Sequence, residues 1–428
     1  MIKNVLILLI VAISGLTYSQ NNIDELAKSI EPKVIEWRRH FHQNPELSNR
    51  EFKTATRIAA HLRLLGIEVQ TRVAHTGVVG TLKGGLPGPV VALRADIDAL
   101  PVTERVDVPF ASKVKSTHNG VETGVMHACG HDAHTAMLLG VAEVLSNMKE
   151  ELHGTVKFIF QPAEEGPPIG EEGGAIMMIK EGVLKNPDVD AIFGLHVSAG
   201  LPVGKISYKP EGIMASSDRF VIKVKGKQTH GSTPWGGIDP IVVSAQIANA
   251  LQTVVSRQTP LTTTPAVVSI GMMQAGVRYN IIPETAEMIG TIRTFDPKVQ
   301  DDIHRKIERI AINTAEGMGA TAEVSIQKIC PVTYNHKELT NQMLPSLQKV
   351  AGAENVVITK PITAAEDFSF YQQQVPGMFF FIGVSPEDNE EDLGLSSHHS
   401  PDYHLNEDGM LLGVKAFLQL TLDYLNTN

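Results

Sequence analysis

The first two hundred residues alternate between helical and strand-like hydrophobic patterns. Apolar residues recur at helical spacing through 24–65, and Gly66 then predicts a helix end before the next strand. Short continuous apolar runs follow at 90–93, 156–160 and 191–195. Such runs are typical of strands buried on both faces, and the helical pattern at 133–148 lies between the first two. Strands that alternate with helices predict an α/β fold, in which helices cover both faces of a mostly parallel sheet.

The pattern changes after about residue 212. Period-two alternation of apolar and polar residues appears at 219–225 and 287–293, beside helical stretches at 239–258 and 297–318. Alternation indicates an antiparallel sheet whose two faces differ in environment, as in a small α+β unit. The buried run at 378–382 returns to the first pattern. We therefore predict a smaller domain at 212–325, inserted into a larger domain formed by 20–211 and 326–428.

The first nineteen residues are predicted to be a signal peptide. Lys3 precedes an apolar run from Val5 to Ile13, and more polar residues follow from Thr17. This run is shorter than the roughly 20 residues that a membrane-spanning helix needs, although an uncleaved anchor is the alternative. The interpretation is an exported protein, periplasmic or secreted, with no stable membrane anchor once residues 1–19 are removed.

The composition excludes some classes of protein without identifying one. Hydrophobic residues make up 43% of the 428 residues and charged residues 20%, which is ordinary for a globular protein. A formal net charge of -10 argues against a general nucleic-acid-binding protein, because such proteins need basic surfaces to neutralise phosphates. Two cysteines cannot form a disulfide framework. The chemistry must therefore be sought in local clusters of side chains.

The densest cluster of chemically active side chains lies at 127–134. Cys129 and His131 stand on either side of Gly130 at the start of a predicted helix, a position that lowers the pKa of a thiol. A thiolate and an imidazole at this spacing can bind one metal ion, or two ions a few ångströms apart. The alternative is a buried cysteine beside surface histidines. Three histidines and a cysteine within 127–134 favour a metal site over this alternative.

Three further segments carry potential metal ligands. Glu164 and Glu165 follow a predicted buried strand and point in opposite directions, so one can bind metal while the other acts as a general base. His196 ends another strand, and His398 and His399 lie in a polar loop near the C-terminus. One thiolate, three imidazoles and one carboxylate are too many ligands for one open zinc site and suit two cations.

Six motifs together resemble the amidohydrolase branch of the M20 metallopeptidase superfamily, which includes hippurate hydrolases, N-acyl-amino-acid deacylases and auxin-conjugate hydrolases. These motifs are Arg38–Ser48, Leu93–Pro101, Met126–His134, Gln161–Gly166, Thr229–Ser232 and Ala365–Phe368. The resemblance covers about residues 31 to 425. It implies a di-metal catalytic domain, an inserted lid and dimerisation domain, and therefore a homodimer.

The resemblance also implies roles for single residues. The metal ligands would be Cys129, His131, Glu165, His196 and His399, and the substrate-binding residues would be His230, Asn280 and Arg293. The ligands would hold two divalent ions, zinc or manganese, with cobalt or nickel as alternatives. Glu164 would be the general base, taking a proton from the water shared by the ions and passing it to the leaving amine. His399 is preferred to His398 because it keeps the motif's spacing to Ser400 and Pro401.

The leading functional hypothesis is an exported, metal-dependent amidohydrolase that cleaves the linear amide bond of N-acyl amino acids. A carboxypeptidase or dipeptidase that cuts short peptides with the same site is the closest alternative. A cysteine hydrolase with Cys129 as nucleophile is a second alternative, which chelation would distinguish. A non-catalytic binding protein is a third alternative, against which the presence of Glu164 weighs.

Overall fold

The structure, a computed structural model, describes residues 20–385 and 398–427. The predicted signal peptide at 1–19 lies outside these residues. The helices of the described chain are α1 (Gln20–Gln43), α2 (Phe52–Leu64), α3 (His131–Asn147), α4 (Gly174–Lys180), α5 (Pro240–Gln258), α6 (Pro297–Gly317), α7 (Lys337–Ala351), α8 (Ser369–Gln372) and α9 (Met410–Thr427). None of these helices is both long enough and apolar enough to cross a lipid bilayer.

The strands belong to one large sheet, one four-stranded sheet and three small pairs. In chain order they are β1 (Glu68–Val73), β2 (Gly77–Lys83), β3 (Leu86–Asp96), β4 (Lys115–His118), β5 (Val121–Gly124), β6 (His153–Gln161), β7 (Ala191–Pro202), β8 (Ile206–Tyr208), β9 (Glu211–Met214), β10 (Ser217–Lys225), β11 (Thr229–His230), β12 (Ala266–Ala275), β13 (Ile281–Ile282), β14 (Thr285–Thr294), β15 (Thr321–Cys330), β16 (Thr333–Asn335), β17 (Val356–Ile358) and β18 (Gly377–Ser385).

The large sheet has the strand order β1-β2-β6-β3-β7-β18-β8-β17. Its central strands β6, β3, β7 and β18 run parallel, whereas β1 and β2 are antiparallel at one edge and β8 is antiparallel to β18. This arrangement confirms the predicted α/β fold with a mostly parallel sheet.

Both faces of the large sheet are buried, as the continuous apolar runs predict. Phe380 packs in the core on the side of α1, α3 and α9, while its neighbours Phe379 and Phe381 pack in the core on the side of α4 and α8. Successive strand residues point to opposite faces, so a strand covered on both sides must be apolar throughout. The helix α3 lies between the sheet and the outer helices, and almost all of its residues are buried.

The four-stranded antiparallel sheet has the order β12-β14-β10-β15. One face of β10 carries Phe220, Ile222 and Val224, which pack against α5 and α6, and the intervening side chains are more exposed. This sheet begins at Ser217 and ends at Cys330, between β9 and β16, which pair with each other. The chain thus builds a separate α+β layer in this region, while the boundaries 212 and 325 stay a prediction.

The chain passes between the large sheet and the four-stranded sheet twice, and both passages contact the segment 362–367. The main-chain N–H of Ala215 lies 3.0 Å from the carbonyl oxygens of both Ile362 and Ala364. The thiol of Cys330 donates to the carbonyl oxygen of Glu366 at 3.2 Å. The segment 362–367 therefore links the connection between the sheets to residues at the candidate site.

Candidate metal centre

Several charged side chains converge at the carboxyl edge of the large sheet. The strand β3 ends at Asp96, β6 ends at Gln161, and His196 lies on β7 beyond the residues that pair with β3. The helix α3 begins at His131 beside them. Parallel strands bring their carboxyl ends to the same edge, so residues distant in sequence meet there.

Gly130 makes the tight turn between Cys129 and the helix α3. Its φ is 93°, in the left-handed region, where glycine is favoured. A Cβ atom at this position would overlap the side chain of Val197 and lie 2.9 Å from the hydroxyl oxygen of Tyr403. The turn therefore needs glycine for both its backbone conformation and its close packing.

Two groups of three potential ligand atoms share the thiol of Cys129. One group combines Cys129 with His131 and His196, and the other combines it with Glu165 and His399. Within each group all the ligand atoms lie within 4.8 Å of one another. The structure therefore brings the five predicted ligands together, in an arrangement that suits two cations. That these residues bind metal stays a prediction.

Main-chain carbonyl groups fix the orientation of two of the candidate imidazoles. Nδ1 of His131 lies 2.9 Å from the carbonyl oxygen of Asp98, and Nδ1 of His196 lies 2.6 Å from that of Val197. A carbonyl oxygen only accepts, so each Nδ1 is the donor and each Nε2 is left for the site. Nε2 of His196 is 3.4 Å from the sulfur of Cys129. Such outer hydrogen bonds commonly orient histidines that bind metal.

Nε2 of His131 is a buried polar atom with no hydrogen-bond partner in the described part of the chain, and it lies 3.9 Å from Oε1 of Glu165. Burial of a polar atom without a partner is costly, and a divalent cation between these two atoms would satisfy it. The donor set and this atom therefore fit a metal site.

The prediction that the start of the helix lowers the pKa of the Cys129 thiol was wrong. Burial, followed by the nearby carboxylates of Glu165 and Glu164, raises this pKa well above its ordinary value. Burial alone lowers the pKa of His131, but the carboxylates of Asp96 and Asp98 overcome burial and raise it to about 10. Both groups therefore retain protons that a bound cation would displace.

His399 and His398 have different environments. Nε2 of His399 lies 3.1 Å from Oε1 of Glu165, whereas Nε2 of His398 is 3.4 Å from the main-chain nitrogen of Ala199, from which it accepts. The ring of His398 packs against those of His196 and Tyr403, with centroid distances of 5.2 Å and 5.0 Å. The geometry thus favours His399 as the candidate ligand and places His398 behind it.

Other polar residues of the 127–134 cluster support the site and do not complete either ligand group. Nδ1 of His134 lies 2.6 Å from Asp96, and its Nε2 accepts from the main-chain nitrogen of Val197 at 2.9 Å. Both ring nitrogens of His134 are therefore engaged. Asp132 points away from the candidate ligands and contacts His42 at 2.8 Å and Arg38 at 3.0 Å.

Glu164 lies beside the candidate ligands. Its carboxylate is within 4.8 Å of ligand atoms of His131 and Glu165, and it accepts from the main-chain nitrogen of Asp367 at 3.4 Å. Burial, followed by the carboxylate of Glu366, raises the pKa of Glu164 well above its ordinary value. Glu164 thus has the position and proton affinity of a group that can hold a proton during a reaction.

Sequence reasoning assigned no role to Arg94, Glu366 and Asp367, which lie against Glu164 and Asp96. Arg94 is fully buried and forms ion pairs with all three neighbouring acids, Asp96, Glu366 and Asp367. The available signal was an arginine directly after the apolar run of β3, because a charged residue inside a buried strand must have a partner.

The structure separates the three predicted substrate-binding residues. His230 and Asn280 line one cavity of about 460 Å³ together with Arg278, which sequence reasoning missed. Arg293 lies elsewhere, on β14 next to Thr294, whose hydroxyl is 3.0 Å from that of Ser216 at the passage between the sheets. His230 and Asn280 thus form one group, and Arg293, on the four-stranded sheet, is not among the residues that line this cavity.

Comparison with known proteins agrees with the fold and with a metal-dependent hydrolytic site. Residues 92–423 match the model of peptidase family M20/M25/M40. The chain is 43% identical to thermostable carboxypeptidase 2 of Saccharolobus solfataricus, over 93% of this chain and 97% of that protein. It is 39% identical to N-acetylcysteine deacetylase of Bacillus subtilis, over 94% and 99% of the two chains. The crystal structure of the Bacillus subtilis YxeP protein, a dinuclear metal-binding peptidase from the M20 family, aligns with a TM-score of 0.78 at 37% identity, covering 94% of this chain and all of that one.

Proposed function

Because the chain belongs to peptidase family M20/M25/M40, we propose that it hydrolyses the linear amide bond of N-acyl amino acids at a di-metal centre. Its similarity to an N-acetylcysteine deacetylase and to a carboxypeptidase supports an amide or peptide hydrolase of this family. The observation that carries the proposal is the pair of ligand groups that share Cys129, with Glu164 beside them.

Two divalent ions, when bound, would polarise the amide carbonyl and make a water molecule nucleophilic near neutral pH. Cys129, His131, Glu165, His196 and His399 would hold them. A thiolate favours zinc, while the imidazole and carboxylate ligands also accommodate manganese, cobalt or nickel. Asp98 would keep the Nε2 atom of His131 directed at the site through its carbonyl oxygen.

Glu164 would move the protons of the reaction. In this role its carboxylate takes a proton from the attacking water and then donates it to the nitrogen of the leaving amine. The raised pKa of Glu164 suits a group that must hold the proton between these two steps. The adjacent Glu165 is fixed separately, since its main-chain nitrogen donates to Oδ2 of Asp98 at 3.1 Å.

The cavity beside the β11–β13 pair supports a substrate that carries a carboxylate. Arg278 and His230 line it beside Asn280, and no acidic side chain is among its lining residues. An arginine fork can donate two hydrogen bonds to a carboxylate, which is the group that an N-acyl amino acid retains after its amine is acylated. Arg293, on β14 of the four-stranded sheet, is a second candidate for this role.

A carboxypeptidase acting on short peptides is the closest alternative, which the similarity to a carboxypeptidase favours. The same metal centre would serve both reactions. The two kinds of substrate differ in the group on the acyl side of the cleaved bond, which is an amino-acid residue in a peptide and a simple acyl group in an N-acyl amino acid. A cysteine hydrolase is a poorer fit, because burial raises the pKa of the Cys129 thiol and lowers that of His196. This pair does not form the thiolate and imidazolium that activate a catalytic cysteine.

We also propose a homodimer that forms through the strand β12. This strand is at one edge of the four-stranded sheet, and its side chains Val267, Met272 and Met273 are more than a third exposed. An unpaired, apolar edge can add a strand from a second copy of the chain. The predicted export through residues 1–19 is a further part of the proposal, and mass analysis of the protein recovered outside the cytoplasm would test whether they are removed.

The decisive experiment is a hydrolysis panel. Purified protein is loaded separately with zinc, manganese, cobalt and nickel, and then assayed with acetyl, benzoyl and indole-acetyl amino acids beside simple dipeptides and a cyclic amide. We expect the highest kcat/KM for N-acyl amino acids and complete loss of activity with a chelator. Preference for dipeptides would favour the carboxypeptidase alternative, and activity that survives chelation would contradict a metal-dependent reaction.

A further inference from the structure

Arg94 is a fully buried arginine whose guanidinium is engaged on all sides. Its Nε donates to Oε1 of Gln161 at 2.9 Å, and its Nη1 donates to Oδ2 of Asp96 at 2.6 Å. Its Nη2 lies 2.9 Å from Oδ1 of Asp367 and 3.0 Å from Oε1 of Glu366. These contacts hold the guanidinium in one orientation, since charge-assisted hydrogen bonds in the interior are strong and directional.

Asp367 is the acid through which this arginine reaches Glu164. Oδ1 of Asp367 accepts from Arg94 at 2.9 Å and from Nε2 of Gln161 at 2.7 Å. Oδ2 accepts from the same Gln161 nitrogen at 2.8 Å and from the main-chain nitrogen of Ala175 at 2.8 Å. Three residues thus hold the carboxylate of Asp367. Because the side chain is held, the main chain of Asp367 is also fixed in position. Its own N–H donates to Oε1 of Glu164 at 3.4 Å.

We propose that Asp367 is a positioning residue for the hydrolytic reaction. Arg94 and Gln161 hold its carboxylate, and its main-chain N–H then holds the Glu164 carboxylate beside the candidate metal centre. This inference rests on the proposed function, in which Glu164 is the general base. It adds that the base is aimed by a buried network outside the metal ligands. Because a small misplacement of a reacting group costs much of its rate, disturbing the network should slow catalysis while substrate binding stays intact.

The test replaces the carboxylate of Asp367 by an amide. In Asp367→Asn, the new NH₂ group meets the donors of Ala175 or Gln161, so the main chain at this position must shift. We expect kcat to fall roughly tenfold to a hundredfold, with KM changed less than about threefold and metal content unchanged. A loss of bound metal, or a rise in KM that accounts for the lower kcat/KM, would overturn the inference.

A double-mutant cycle with Glu164→Asp decides whether the effect passes through Glu164. The shorter aspartate carboxylate no longer reaches the N–H of residue 367. In the Glu164→Asp protein, the Asp367→Asn change should therefore lower kcat by less than about threefold. If Asp367→Asn lowers kcat by the same factor in both backgrounds, it acts independently of Glu164 and the inference is wrong.

Two further variants keep the test falsifiable. Asp218, on β10 of the four-stranded sheet, is a matched control, because it is also buried and accepts from the side-chain amide of Gln300 at 2.8 Å and 3.0 Å. Asp218→Asn should leave kcat within about twofold of the wild type. If Asp367→Asn does not fold, Gln161→Leu removes both hydrogen bonds of Gln161 to Asp367 without adding charge, and it should lower kcat in the same manner.

A crystal structure separates this inference from the proposed function. In the Asp367→Asn crystal we expect Oε1 of Glu164 to move beyond hydrogen-bond distance of the residue 367 nitrogen. An unmoved Glu164 would overturn the positioning role, whatever the activity of the protein. A wild-type protein that hydrolyses no substrate of the panel would instead contradict the proposed function, while the displacement of Glu164 would still decide the positioning role.

Discussion

Nε2 of His399 lies 3.1 Å from Oε1 of Glu165, and each of these residues offers a ligand atom within 4.8 Å of the sulfur of Cys129. This contact joins the loop before α9 to the segment after β6. It also divides the candidate ligands into two groups that meet at one thiol. Single substitutions should therefore have different effects on metal content, depending on whether the residue belongs to one group or to both.

His399→Ala should reduce the bound metal from two ions to one per chain, because His399 belongs only to the group with Glu165. Elemental analysis of the dialysed variant measures this directly. The adjacent His398→Ala is the matched control and should keep both ions, since the His398 ring packs behind the site. The reverse result would show that His398 is the ligand.

Cys129→Ala should weaken the binding of both ions, because Cys129 is common to the two groups. Elemental analysis of the dialysed variant measures this loss.

Bound metal should also protect the Cys129 thiol of the wild type from oxidants. Oxidants should inactivate the metal-free protein irreversibly and faster than the loaded one, as assayed after reloading with metal. Cys330 belongs to neither ligand group, so bound metal should leave its rate of oxidation unchanged. Equal rates for the two forms would contradict a metal-bound thiolate.

Glu164→Gln should keep both metal ions and lower kcat by about 10²–10⁴-fold, since the amide cannot take a proton from water. Parallel measurements of kcat and metal content are needed, because only their combination separates a lost base from a lost ligand. An active Glu164→Gln variant would remove Glu164 from the mechanism.

The stability that His42 contributes should depend on pH. Burial lowers its pKa, but the carboxylates of Asp132 and Glu104 overcome burial and the opposing charge of Arg38, so the folded pKa is raised. A raised folded pKa means that the contribution is complete below the unfolded value of about 6.5 and is lost as pH rises through the folded value. Urea unfolding should therefore show a larger deficit for His42→Gln at pH 6 than at pH 9.

His61 provides the opposite control for that experiment. Burial is the main cause that lowers the pKa of His61 in the folded protein. Protonation at low pH then disfavours the folded wild type relative to His61→Gln, so the difference between the two proteins should change with the opposite sign. Equal pH dependence for both variants would contradict the role assigned to the contacts of His42.

Met273→Lys should convert a dimer into a monomer, because Met273 is 44% exposed on the edge strand β12. Light scattering coupled to size-exclusion chromatography measures the mass. Ile329→Lys is the matched control, since Ile329 is 50% exposed on the opposite edge strand β15. If Ile329→Lys dissociates the protein and Met273→Lys does not, the interface lies at the other edge.

The elements that sequence reasoning located best are those with the strongest periodicity. The apolar run at 156–160 lies within β6, and the helical stretch at 239–258 corresponds to α5 (Pro240–Gln258), where Asp239 caps the first turn through Ile241 and Val242. The stretch at 24–65, in contrast, contains two helices separated by the turn at residues 44–51. Local pattern and capping chemistry fix these elements, so they can be read without knowledge of the tertiary structure.

The electrostatics of the site could not be predicted in the same way. The pKa of the Cys129 thiol depends on how completely it is buried and on how near Glu165 lies, and both follow from the assembled fold. Likewise, the contact of Asp367 with Glu164 joins two segments that only the large sheet brings together. Types of ligand can thus be inferred from motifs, whereas proton affinities and supporting contacts require tertiary distances.

The backbone of Gly130 limits how the centre can be redesigned. Any larger residue there would have to displace Val197 or Tyr403 and also adopt a left-handed conformation. A randomised library across this turn should therefore recover glycine at position 130 among nearly all functional members, whatever metal is selected. A different metal preference should therefore be sought by changing the ligating side chains, because the turn at Gly130 does not accept another residue.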